Sequence, residues 1–133
     1  MSQSPRAGLS AFRGNELETT VSDNDRLETM LGALEDEDCR AILEATSDDS
    51  LTASEISEEC DLALSTAYRK LDILTDADLL EEQIRLSRSG KHTSEYVRSV
   101  EDIQVSMGAG GIELHLTHRS SPEAGTSLVA GAD

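Results

Sequence analysis

The chain has 133 residues, 37% hydrophobic and 2% aromatic, with 27 Asp and Glu against 11 Lys and Arg, a formal net charge of -16. That length fits one domain with frayed ends and a small core of Leu, Ile, Val and Ala. Two cysteines give no disulfide framework, the N-terminus lacks a basic-then-apolar leader, and no apolar run nears the ~20 residues of a membrane span, so a soluble protein in a reducing, cytoplasmic setting is expected.

Residues 1–22 are polar and aperiodic and are expected to be a disordered leader. The spacing of Leu27, Met30, Leu31 and Leu34 predicts a helix over about 25–34. The run "EDEDC" opens a second, about 36–46, because clustered carboxylates suit a helix N-terminus; Cys39, Ile42 and Leu43 with Ala45 or Thr46 would face inward. Thr52 and Glu55 form a capping-box pattern that starts a helix of about 53–60. After the turn "CDLAL", a helix over 64–76 carries Leu64, Ala67, Leu71 and Leu74 as one apolar stripe. "LLEEQIRLSR" reads as a strand, "SRSGKH" as a turn and "TSEYVRSVEDIQVSM" as a long return strand; "GAGG" then precedes a last short strand, "IELHL". The residues after 118 are expected to be a second disordered tail.

Two helices joined by a short turn and followed at once by a β-hairpin predict an α+β class: a mainly helical winged helix-turn-helix over 23–118, with a hairpin wing at 80–98 and one further short strand. "LTASEISEECDLALSTAYRKLDILTDADLLEE" followed by "SRSGKHTSEYV" resembles the ArsR-like winged-helix transcriptional regulators common in halophilic archaea, over roughly residues 27–106. Ala63 stands where many relatives would start the helix with proline. The resemblance implies a non-enzymatic, cofactor-free regulator that binds double-stranded DNA as a homodimer. The partner surface would come from the helix at 25–34, the strand "IELHL", or both.

Such a fold presents the N-terminal residues of helix 64–76 to the major groove. The hydroxyls of Ser65 and Thr66 can meet phosphates or base edges, Tyr68 can lie along the sugar, Arg69 can read guanine with two hydrogen bonds, and Lys70 can pair with a phosphate. At the hairpin tip, Arg88, Lys91 and His92 flank Gly90, placed for the backbone or minor groove. Arg85 and Arg98 lie on the strands and could support the tip. Each has a plainer alternative. Arg69 and Lys70 could solvate an exposed face by pairing with Asp72 or a glutamate, Tyr68 could pack half-buried, and the wing could be an ordinary polar hairpin.

Charge distribution favours DNA. Residues 62–98 hold six cations (Arg69, Lys70, Arg85, Arg88, Lys91, Arg98) and six carboxylates (Asp72, Asp76, Asp78, Glu81, Glu82, Glu95), so the whole -16 lies elsewhere. Carboxylates spread along the chain, with only two lysines, fit a surface hydrated in molar salt, where screening removes mutual repulsion. An acidic partner-binding protein from an ordinary cell is the rival. Two other functions compete with DNA reading: a winged-helix protein-interaction module of the transcription machinery, and a thiol-based sensor using Cys39 and Cys60. As small buried residues the cysteines need no such role. His115 and His118, three apart on a strand, point to opposite faces, so no metal is expected.

Overall fold

The computed structural model describes residues 17–86 and 89–119. They form, in chain order, β1 (Leu17–Val21), α1 (Asn24–Glu35), α2 (Glu37–Ala45), β2 (Leu51–Thr52), α3 (Ala53–Glu59), α4 (Leu64–Asp76), β3 (Leu80–Leu86), β4 (His92–Arg98), β5 (Val100–Gly108) and β6 (Gly111–His118). The class is α+β, and the described residues divide into two compact units, one within residues 23–98 and the other formed by residues 17–22 with 99–119.

In the first unit, short polar side chains set the helix boundaries. Asp23 caps α1 by accepting from the Arg26 N–H (3.0 Å). Asp36 ends α1 and caps α2, accepting from the Cys39 N–H (3.0 Å), with Glu37 and Asp38 in the first turn where the helix dipole favours them. The Thr52–Glu55 capping box opens α3 as expected: Thr52 Oγ1 accepts from the Glu55 N–H (3.2 Å), and Glu55 Oε1 from the Thr52 N–H (2.9 Å). α3 and α4 end alike, each with an aspartate in the left-handed region, Asp61 at φ 58 and Asp78 at φ 63. Beyond them the Leu62 and Leu79 N–H groups reach back to the Ser57 (2.9 Å) and Leu74 (3.0 Å) carbonyls, a Schellman closure of each helix.

The core of this unit is aliphatic. Met30, Ala33, Cys39, Ile42, Leu43, Ile56, Ala67, Leu71, Leu74, Leu79, Leu80 and Val97 are buried, with Tyr96 its one aromatic. Each large aliphatic side chain contributes about 1.5–3 kcal/mol when fully buried. α4 buries Ala67, Leu71 and Leu74 as the periodicity predicts, but Leu64 is 44% exposed. As the first residue of α4 it precedes the turns that pack. β3 and β4 form the expected hairpin in register from Leu80↔Arg98 to Leu86↔His92, and β2 adds a third strand through Leu51↔Tyr96 and Thr52↔Glu95.

Two expectations give way in the second unit. Residues 17–21, placed in the leader, form β1, and the return strand expected over 93–107 breaks at Ser99 into β4 and β5, which belong to different sheets. A pair of strands can continue either hairpin locally; long-range pairing decides between them. β1 joins β6 from Leu17↔His118 to Val21↔Leu114, and β5 joins β6 to give the order β1-β6-β5. "IELHL" is thus the middle of a three-stranded sheet, not a lone short strand. Its alternation puts Leu114 and Leu116 on one buried face with Val21. The side chains of His115 and His118 bond to Thr20 Oγ1 (3.2 Å) and Thr19 Oγ1 (2.9 Å). Residues 1–16 of the expected leader and residues 120–133 of the expected tail lie outside the described residues.

Candidate nucleic-acid interface

α4 has three sides. Ala67, Leu71 and Leu74 fill the core. Ser65, Arg69, Asp72 and Asp76, at helical spacing, run along the most outward line, and all four are exposed. Thr66, Lys70 and Ile73 lie on one flank, and Tyr68 lies on the other, 51% exposed. The outward line changes sign along its length. A hydroxyl and a cation occupy the first two turns, and two carboxylates the last two. Only the N-terminal half of α4 can therefore approach a polyanion closely.

The start of α4 is open. Ala63, its N-cap, makes no side-chain hydrogen bond to the first turn, which carries the positive end of the helix dipole. The preceding turn is held by Ser57, whose hydroxyl donates to the Leu62 carbonyl (2.6 Å).

The two adjacent cations have different environments. Arg69 is exposed and, among the described residues, forms no ion pair. The Lys70 ammonium lies 2.5 Å from Asp36 Oδ2, with side-chain exposures of 13% and 27%. The Asp36 carboxylate, hydrogen-bonded by Lys70 and by the Cys39 N–H, is held below its usual pKa, and the same bond raises that of Lys70. The sequence offered Asp72 or a glutamate as partners for these cations; the actual partner is an N-cap 34 residues earlier.

The wing is tied to α3. Arg85 donates to Glu95 through Nε (2.7 Å), to Glu55 through both terminal nitrogens (3.2 Å each), and to the Ser50 carbonyl (3.2 Å). These bonds hold Glu55 below its usual pKa. Arg85 therefore supports the hairpin, as its strand position suggested. Gly90, at φ 88, makes the tight tip, with Lys91 and His92 exposed beside it. Arg88 lies outside the described residues.

Between α4 and the wing is a cleft of about 460 Å³, lined by the start of α3, Tyr68, Glu82, His92, Thr93, Ser94 and Tyr96. Burial, with Glu82, Tyr68 and Asp72 nearby, raises the Tyr96 pKa, so its hydroxyl remains protonated. Ser94 donates to Glu82 in the same cleft (2.7 Å). Ile84 and Leu86, on the same face of β3 as Glu82, are 56% and 68% exposed. The sequence reading missed this apolar pair, because alternation marks one face of a strand without saying whether anything covers it.

The cysteines sit in unreactive surroundings. Cys39 is buried in α2 and its thiol is pushed up to about 11 by burial, then by Asp36; Cys60 is also raised by burial, then by Glu59. Both are free thiols.

Residues 34–83 match a family model described as a helix-turn-helix domain. The helix-turn-helix is α3, the turn through Asp61, and α4, and β3–β4 is its wing. Among solved structures, the chain is similar to NolR from Sinorhizobium fredii, at 17% identity over 57% of this chain and 71% of that one, with a TM-score of 0.47. It is also similar to a protein of Methanosarcina mazei Go1 described as a possible transcriptional regulator, at 15% identity over 60% and 73% of the two chains, with a TM-score of 0.43. No curated protein matches it. No helix among the described residues is long and apolar enough to cross a membrane.

Proposed function

We propose that this chain is a sequence-specific DNA-binding transcriptional regulator, with no catalytic step, that reads the major groove with the N-terminal half of α4. The observation that carries this reading is the exposed Arg69, without an ion pair among the described residues, on the outward line of a helix-turn-helix second helix, one turn after Ser65 and beside Thr66 and Tyr68. Arg69 reads guanine, the hydroxyls and the open helix start meet phosphates, and Tyr68 lies toward the sugar. Lys70 positions α4 against α2 instead of contacting DNA. Lys91, His92 and Arg88 serve the backbone or minor groove from the wing. The regulator acts as a homodimer on two half-sites.

We place it in a high-salt cytoplasm, in line with the ArsR-like regulators of halophilic archaea that its sequence resembles. The support is its unpaired acid: -16 overall, with none of the excess in residues 62–98. In molar salt the counterion-release contribution to DNA binding is largely spent, so affinity rests on hydroxyl, base-edge and shape contacts. The protein-interaction module remains the second reading, supported by Ile84 and Leu86 exposed on the wing. The thiol-sensor reading draws no support from two thiols with raised pKa values.

A gel-shift assay in 2 M KCl with native genomic fragments separates the two. The regulator retards a subset of fragments, and Arg69→Ala weakens that binding by roughly 5- to 150-fold, the equivalent of about 1–3 kcal/mol. No retarded fragment with either protein would reject it.

A further inference from the structure

Among the described residues, β5 pairs only with β6, leaving its outer edge open; residues 104–110 are all exposed. Natural sheets block such an edge with lysine, proline, an inward-pointing charge or a bulge. From Ile103 to Gly108 β5 has none of these, and its one register shift lies earlier, between Val100 and Asp102. The charge pattern is just as selective. Residues 103–112 are ten in a row without a formal charge, in a chain that is 29% charged.

The register determines which side chains share a face. Val105 lies opposite Leu114 and Met107 opposite Ile112, so Ile103, Val105 and Met107 continue the apolar face of β6 to the open edge. Val105 and Met107 are 59% and 78% exposed there, and Ile112 is 38% exposed.

We infer that the β5 edge is the homodimer interface, pairing antiparallel with β5 of a second copy to make one six-stranded sheet. A two-fold axis through Val105 sets Val105 against itself and Ile103 against Met107 of the second copy, matching all three apolar residues. Centring on Gln104 or Ser106 also keeps the faces aligned but sets Met107 opposite Glu101, or Ile103 opposite only Ala109 beyond the end of the strand. The Val105 register puts Asp102 opposite Gly108 and Glu101 opposite Ala109, so no carboxylate faces another across the junction. Two chains of charge -16 thus meet where each carries none. β6, expected to supply the partner surface alone or with the helix at 25–34, has both edges occupied by β1 and β5. This inference supplies the surface for the homodimer proposed above, and its test contains no DNA, so its failure and a failure of DNA binding are distinguishable.

The test is light scattering after size exclusion in 2 M KCl, over 5–200 µM as order-of-magnitude concentrations, where salt screens the remaining repulsion. The wild type gives twice the 14.3 kDa monomer mass at the higher concentrations. Val105→Lys, at an exposed position that leaves the fold intact by circular dichroism, weakens the dimer at least about tenfold by setting two ammonium groups against each other. Cα atoms paired across such strands lie about 4.5–5.5 Å apart, within disulfide reach, so Val105→Cys forms a covalent dimer under mild oxidation while Leu17→Cys does not. A monomeric wild type at the highest concentration, an unweakened Val105→Lys dimer, or cross-linking through Leu17→Cys and not Val105→Cys would each overturn it.

Discussion

Replacing Lys70 with methionine keeps the length of the side chain and removes its ammonium, leaving Asp36 Oδ2 without its partner while Oδ1 still caps α2. A hydrogen bond to a charged group contributes about 1.5–3 kcal/mol, and an exposed ion pair about 0–1. With exposures of 13% and 27% the pair lies between these cases, so Lys70→Met costs about 1–2 kcal/mol. Urea unfolding in molar KCl measures it, and a double-mutant cycle with Asp36→Asn, which keeps the cap acceptor, isolates the coupling. Asp36 has a depressed folded pKa, so its contribution is present above the ordinary 3.8 and disappears as pH falls through the lower folded value. Lys70 has a raised folded pKa, so its contribution is present below 10.5 and disappears as pH rises through the higher folded value. Within that window the variant's deficit is constant, and it narrows at either end. DNA binding supplies the second readout. A phosphate contact would lower the slope of log affinity against log salt by about 0.9 when removed, whereas a positioning residue leaves the slope unchanged. Stability within a few tenths of a kcal/mol of wild type, together with a slope reduced by about one, would refute the positioning role.

Four further expectations follow from particular residues. Thr52→Ala loses the α3 cap and destabilises by about 1 kcal/mol in urea unfolding. Asp61→Gly relieves a left-handed aspartate in the helix-turn-helix turn and stabilises by about 0.5–1 kcal/mol, read as a higher urea midpoint. At pH 8, iodoacetamide leaves Cys39 unmodified in the folded protein and labels it only after unfolding, because the thiol is buried and pushed up to about 11. The melting temperature rises between about 0.2 and 2 M KCl as carboxylate repulsion is screened; a flat or falling curve would contradict the high-salt setting.

The parts of the fold that were legible in the sequence are those specified within a few residues. α4 spans 64–76 as its stripe predicted, Thr52 and Glu55 cap α3, and Leu80–Leu86 with His92–Arg98 form the wing. Periodicity and capping are local properties, so they survive without tertiary context. What escaped depends on distant partners. β1 has no periodic signal and becomes a strand because Leu17 meets His118, about a hundred residues away. The break at Ser99 has no glycine or proline to announce it, and two sheets competing for one apolar run decide it. At the site, types and positions on α4 were readable, but which cation forms an ion pair among the described residues was not. Arg69 and Lys70 are neighbours in sequence, and only the arrival of Asp36, the N-cap of another helix, separates their roles.

In the proposed function Arg69 reads bases and Lys70 does not. Selection from a random duplex library in 2 M KCl, with wild type, Arg69→Ala and Lys70→Met in parallel, tests it most directly. Arg69→Ala is expected to lose a guanine preference at one position of each half-site while Lys70→Met recovers the wild-type motif. The same motif from Arg69→Ala as from wild type would contradict it.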